Sequence, residues 1–428
     1  MTSRFLVALA AAALIAPAAP LRASGPIVLD EIRGPIQVVV AGHVARVVAH
    51  ADAEGASLLV FSMDTPGGDV GSTRDIIQSI LASRTPVVVF VGPSGSRAAS
   101  AGFYIAFAAD VAAMAPGTQI GAAHPVTPFG QNTKDDIMLQ KVENDLAAQA
   151  RTIAQNRKRN ADLAEKIVRD SVSVTETEAL DQHLIDYVAH DLDALLRTLD
   201  GKTIRRFDGA ESVARKVGAP REPFGLTRRE RLLGAIADPN VAIVLLVVGL
   251  LGLYVEFTHP GVIAPGIIGG ASLFLFALAT QILPLNLLGL ILIGIGIGLF
   301  VLEIKVASFG LLTAGGVFSV TLGFLILFDG PVPEMRVQRA VVLPIALTLA
   351  GIMAFLTYRT VSSRRWKVTT GQEGLVGEIG TALTDVGPSG RVFVHGEYWS
   401  ARAAEPIAAG SQVRVRGISD MVVEVERA

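Results

Sequence analysis

The chain of 428 residues contains no cysteine. That excludes disulfides, a thiolate nucleophile and thiolate metal sites. It suits an oxidising compartment without requiring one. Charge is also scarce: Asp, Glu, Lys and Arg make up 18% of the residues and nearly cancel, leaving a formal charge of -2. Such a chain offers no strongly basic surface, so no nucleic-acid partner is expected. Phosphate loops, dinucleotide fingerprints and zinc-ligand pairs are missing too, and neither cofactor nor metal is expected. What the sequence has in quantity is apolar residues, 51% of the chain. They cluster in its second half, as in a membrane protein.

Residues 1–24 read as a secretory signal: Arg4 precedes the apolar run Phe5–Ile15, and Ala16-Pro17-Ala18 is an A-x-A-like cleavage site. Residues 25–200 follow as an exported α/β domain. Short apolar runs at Ile36–Val40, Leu58–Met63, Val87–Val91 and Val111–Met114 predict strands covered on both faces. Helices are expected over Ser72–Leu81, Ser100–Ala108 and about Asp135–Lys158, and the alternation implies a mostly parallel sheet. Residues 201–238 read as a linker with an amphipathic helix after Thr227, placed at the membrane interface. Asp238-Pro239 starts a helix. Residues 239–360 then hold about five spans, near Val241–Phe257, Val262–Leu283, Leu287–Leu302, Phe309–Phe328 and Ala340–Tyr358. Five short alternating runs in residues 370–428 predict a small all-β, OB-like barrel. Export of the first domain and an odd number of spans place the C-terminus inside, in keeping with Arg364, Arg365 and Lys367 after the last span. The arginines 228, 229 and 231 pull the other way.

Two features of the first domain could carry chemistry. Pro66-Gly67-Gly68 ends a strand, where glycine lets the backbone turn sharply and present N–H groups. Ala98-Ala99-Ser100-Ala101-Gly102 opens an apolar helix, with an approachable hydroxyl at a helix N-terminus. Taken alone, the glycines also suit a plain turn, Ser100 suits an N-cap, and Lys141 suits a surface lysine paired with Asp145 at i+4. Asp64 and Asp69 read as turn or solvent residues.

Together, Thr65-Pro66-Gly67-Gly68, Ala99-Ser100-Ala101-Gly102, Met114-Ala115-Pro116-Gly117-Thr118 and Ile120-Gly121-Ala122-Ala123-His124-Pro125 resemble the long-form NfeD proteins, membrane-bound members of the Clp protease/crotonase-like superfamily. The likeness extends over most of the chain. It implies a Clp-like α/β domain, a transmembrane helical bundle and an OB-like barrel. It implies serine protease activity with Ser100 as nucleophile, Lys141 as general base and the amides of Gly68 and Ala101 as oxyanion hole. It implies a stomatin-type (SPFH) membrane protein as substrate or partner, and a homo-oligomer. The expected location is the bacterial plasma membrane, with the protease domain periplasmic and the C-terminal domain cytoplasmic. His124, which lies 24 residues after Ser100, is the rival base, and a Ser–His–Asp reading would need a carboxylate such as Asp170. A non-enzymatic scaffold for a stomatin-like assembly is the alternative function. Crotonase-type acyl-CoA chemistry is disfavoured, because an exported domain would not meet coenzyme A.

Overall fold

The structure, a computed structural model, describes residues 25–125, 137–213, 219–259, 261–306, 308, 310–330, 332–364 and 372–428. The leader expected at 1–24 and the basic residues 365 and 367 lie outside the described residues. The chain divides into two compact units: one runs to residue 297 and includes 317–346, the other holds 298–316 and 347–428.

In chain order the first unit begins with β1 (Ile27–Arg33), α1 (Val38–Ala53), β2 (Leu58–Asp64), α2 (Val70–Ala82), β3 (Val87–Val91), β4 (Arg97–Ala99), α3 (Ala101–Ala108), β5 (Val111–Met114), β6 (Gln119–Gly121), α4 (Ile137–Arg157), α5 (Ala161–Arg169), β7 (Ser173–Thr175), α6 (Glu176–Asp181), β8 (Tyr187–Val188), α7 (Leu192–Leu199), β9 (Thr203–Arg205), β10 (Glu211–Val213), β11 (Arg221–Pro223) and α8 (Arg228–Ile236). Six strands form one parallel sheet in the order β11-β1-β2-β3-β5-β8. Alternate residues of a strand face opposite ways, and both faces are covered. Leu59, Phe61, Val87, Val89 and Met114 pack under α1 to α5, while Leu58, Val60, Val88, Phe90 and Ala113 pack against α7. This explains why β2 and β3 carry continuous apolar runs. A second sheet, β4-β6-β7, stands beside the first.

One strand expectation is corrected. The run Ile36–Val40 is the entry to α1, and the strand of this region is β1. Three consecutive valines favour a strand locally. However, Val44, Val47, Val48 and Ala51 recur at helical spacing and are all buried. In β1, Asp30 and Glu31 interrupt the apolar run. Asp30 is nonetheless buried, accepting a 2.8 Å hydrogen bond from His43 Nε2 on α1. Part of the stretch read as linker belongs to this domain as well. Strand β11 pairs with β1, and α8 is capped by Thr227 and held to α1 through Arg46–Glu230 at 2.6 Å.

Asp238 then caps α9 (Pro239–Thr258), its side chain accepting from Asn240 N. The apolar helices α10 (Ile263–Ala279), α11 (Leu287–Lys305), α12 (Leu311–Ile326) and α13 (Arg339–Arg364) follow. Two stretches, Pro239–Thr258 and Arg339–Leu356, are long and apolar enough to cross a membrane, and three are shorter. The second unit ends in a closed five-stranded barrel, order β12-β13-β14-β16-β15, made of β12 (Ile379–Ala382), β13 (Gly390–Val394), β14 (Glu397–Arg402), β15 (Gln412–Ser419) and β16 (Val422–Arg427). Val392, Val394, Val413, Val415, Val423 and Val425 fill its interior, at the period-two spacing legible in the sequence.

Candidate active site

Ser100 is the single residue between β4 and α3. Its backbone sits at φ 52° and ψ -112°, a region sparsely populated by residues with a side chain, and its side chain makes no capping hydrogen bond. A serine at this sharp strand-to-helix elbow is therefore not used as a cap, and its hydroxyl is left for another role. Its own N–H donates to Gly121 O at 2.8 Å. That bond and the parallel pairing of β4 with β6 bring the segment leading to His124 alongside the serine.

The Pro66-Gly67-Gly68 turn lies directly against Ser100. A Cβ on Gly67, whose φ is +112°, would fall 2.6 Å from Ser100 Cβ and 3.1 Å from Oγ. A Cβ on Gly68 would fall 2.0 Å from the carbonyl oxygen of Ile36. The turn is pinned there: Ile36 N donates to Gly67 O at 2.8 Å and Asp69 N donates to Ile36 O at 3.0 Å. Among the described residues no hydrogen bond occupies the N–H of Gly68 or of Ala101. Two unused donors therefore stand on the two segments that meet at the serine. Ala101 is the first residue of α3, where helix geometry leaves N–H groups unpaired. The flanking aspartates serve the turn, as expected: Asp69 caps α2 through Ser72 N at 2.8 Å, and Asp64 accepts from Arg97 N at 3.1 Å.

The far end of α3 is anchored by two buried arginines. Arg159 donates to Phe107 O at 2.6 Å and pairs with Asp186 at 2.5 Å, while Arg157 donates to Ala108 O and to Asp110, each at 2.6 Å. Cations at a helix C-terminus satisfy carbonyls that have no partner within the helix. In the sequence, Arg159 reads only as part of a helix end.

A cleft of about 660 Å³ contains Gly68, Ser100, Ala101 and His124. Lys141 is exposed on α4 and is not among the lining residues, although Met138 and Val142 on the same helix are. Asp145 is taken by Arg74 of α2 and so does not pair with Lys141. His124 places Nδ1 3.1 Å from Val168 O. No carboxylate among the described residues bonds it, and Asp170 serves as the C-cap of α5. The sequence reading missed Tyr104, one turn after Ser100. It lines the cleft and is 3% exposed, and its hydroxyl has no partner among the described residues. Burial, then the charge of Asp145, hold its phenol well above the ordinary range, so it stays a hydrogen-bond donor. A larger cavity of about 1060 Å³, beside His43, Phe224 and Glu230, contains none of the candidate catalytic residues.

Three segments match family domains in order. Residues 31–195 match the NfeD1b N-terminal domain, 240–359 the NfeD integral membrane domain, and 372–427 the NfeD-like C-terminal, partner-binding domain. The chain is 31% identical to the membrane-bound protease PH1510 of Pyrococcus horikoshii over 424 residues, covering 97% of this chain and 96% of that one. It is 27% identical to the membrane protein NfeD1b of Bacillus subtilis, covering 82% of this chain and 79% of that one. Among solved structures, the 1510-N membrane protease specific for a stomatin homolog, also from Pyrococcus horikoshii, aligns at 29% identity with a TM-score of 0.44, over 50% of this chain and 100% of that one. Matched domain by domain, and along nearly its whole length by one relative, the chain is a membrane protein of the NfeD family.

Proposed function

We propose that the protein is a membrane-anchored serine endopeptidase with Ser100 as nucleophile and Lys141 as base, cutting apolar segments of a stomatin-like membrane protein outside the plasma membrane. The observation that carries this reading is the strained elbow of Ser100, uncapped and set between the unoccupied N–H groups of Gly68 and Ala101. Oγ attacks the scissile carbonyl while a neutral amine takes its proton. The N–H groups of Gly68 and Ala101 hold the oxyanion. The C–N bond breaks as the ammonium returns the proton to the leaving amine. Water, deprotonated by the same amine, then releases the acyl group from Ser100. Lys141 would act from α4, whose neighbouring residues Met138 and Val142 line the cleft. Val38 and Met138, at 65% and 67% exposure, line the same cleft and suit an apolar substrate. The stomatin-type partner is carried over from the Pyrococcus protease, and a homo-oligomer is expected from the family.

A second base has an observation in its favour. His124 lines the cleft, and with Nδ1–H given to Val168 O its Nε2 is left as an acceptor. The test is cleavage of apolar peptides by the full chain in detergent. Ser100→Ala and Lys141→Ala should each lose about a thousandfold or more in rate, and His124→Ala less than about tenfold. Equal damage from His124→Ala would transfer the base role to the histidine. A wild-type chain no faster than Ser100→Ala would instead favour a scaffold for a stomatin-like assembly.

A further inference from the structure

One wall of the Ser100 cleft comes from the membrane half of the same unit. Ile282, Leu283 and Pro284, from the turn after α10, and Met335, from the turn after α12, line it together with Ser100 and His124. The two turns are bonded to each other: Asn286 N donates to Leu327 O at 2.8 Å, and Asp329 N donates to Pro284 O at 3.2 Å. Glu334 in the second turn pairs at 2.6 Å with Arg97 of β4, the strand that leads into Ser100. Leu283 and Met335 are each 3% exposed, so the wall is packed rather than draped.

We propose that these two turns are the substrate-selecting wall of the cleft, and that they admit an apolar stretch of polypeptide lying at the membrane surface. The proposal rests on the protease reading above. The wall is mostly apolar, with Gln281 and Asp329 beside these residues, and its first turn sits between the ends of membrane helices, α10 before and α11 after. A peptide held against them therefore lies at the level where those helices leave the bilayer. Elsewhere in the lining Val38, Val70 and Met138 are apolar and exposed. A chain section dressed with apolar side chains covers these and the wall at once, whereas a polar one leaves them wet. The Arg97–Glu334 pair sets the distance between wall and nucleophile.

The test uses the full chain in nanodiscs, with an apolar peptide and a small fluorophosphonate that labels the serine without reaching the wall. Ile282→Asp should lower kcat/KM for the peptide about tenfold or more, mainly through KM. Labelling of Ser100 by the fluorophosphonate should stay within about twofold of wild type, a control that a merely misfolded variant fails. Glu334→Arg should raise KM, and the exchange Arg97→Glu with Glu334→Arg should restore it to within about twofold of wild type. Peptide kcat/KM unchanged by Ile282→Asp, with Ser100→Ala inactive, overturns the wall and leaves the protease reading standing. A wild-type chain no more active than Ser100→Ala overturns both.

Discussion

Gly68 occupies a point where a side chain has no room. Its nearest obstacle is a backbone oxygen, at 2.0 Å from a built Cβ, and backbone cannot step aside as the end of a flexible side chain can. Gly68→Ala should therefore cost about 1–3 kcal/mol in thermal unfolding and abolish labelling of Ser100. Gly42, in the interior of α1, has nothing within 4 Å of a built Cβ. Gly42→Ala should leave labelling intact and stabilise the chain by about 0.5–1 kcal/mol. The contrast separates loss of the turn from loss of any glycine. Ser100, Gly68, Ala101 and His124, which share one cleft, could be picked out in the sequence because each belongs to a short run of small residues that permits close backbone approach. Tyr104 was not, since an aromatic inside an apolar helix looks like core until its hydroxyl is seen without a partner. The surface position of Lys141 was one of the two readings open to the sequence, whereas its absence from the cleft lining was hidden. How α4 is rotated relative to the cleft follows from packing of Leu146, Ala147, Ala150 and Ile153, far from the motif.

At the scale of elements, α3 is held with Ser100 at one end and two guanidinium groups at the other. Arg159 is 7% exposed and reaches both the end of α3 and Asp186 before β8. Removing Arg159 takes the donor from Phe107 O and the cation from Asp186, which is itself a third exposed. Arg159→Met should cost about 1–3 kcal/mol in denaturant unfolding and slow labelling of Ser100. Arg159→Lys should fail to restore it, because a single ammonium cannot span both partners. The attachment of α8 is pH-dependent. Burial would raise the Glu230 carboxyl, but donors from Arg46 and Thr227 outweigh it and lower the group from 4.5 to about 2. A carboxyl lowered on folding contributes stability that is whole above its unfolded value and lost as pH falls through the folded one. Wild type should therefore exceed Glu230→Gln in melting temperature at pH 6, with the gap closing between about pH 4.5 and pH 2. The strands buried on both faces and the barrel were legible from apolar runs and alternation. Strand β1 and helix α1 were not, because a buried aspartate broke one pattern and a run of valines imitated the other.

For the molecule as a whole, the open question is which side of the membrane each end occupies, and the lack of cysteine makes it directly measurable. Five apolar helices, α9 to α13, separate the α/β domain from the barrel. Helix α12 has 16 residues and α10 has 17, about 24–26 Å of rise against a hydrocarbon core of about 30 Å. Either could stop short of crossing. If two neighbouring helices form a re-entrant pair, two crossings vanish and the count stays odd. Only the loss of a single crossing moves the barrel to the side of the α/β domain. Ser94 in the first domain and Ser389 in the barrel are both exposed, so Ser94→Cys and Ser389→Cys each give one reactive thiol in a chain that otherwise has none. A membrane-impermeant maleimide applied to spheroplasts should label Ser94→Cys at once and Ser389→Cys only after the membrane is opened. Labelling of both before opening would mean an even number of crossings, and would place the partner-binding barrel on the side of the cleft. Labelling in the expected order means that an odd number of crossings separates the cleft from the barrel, which then lie on opposite sides of the bilayer.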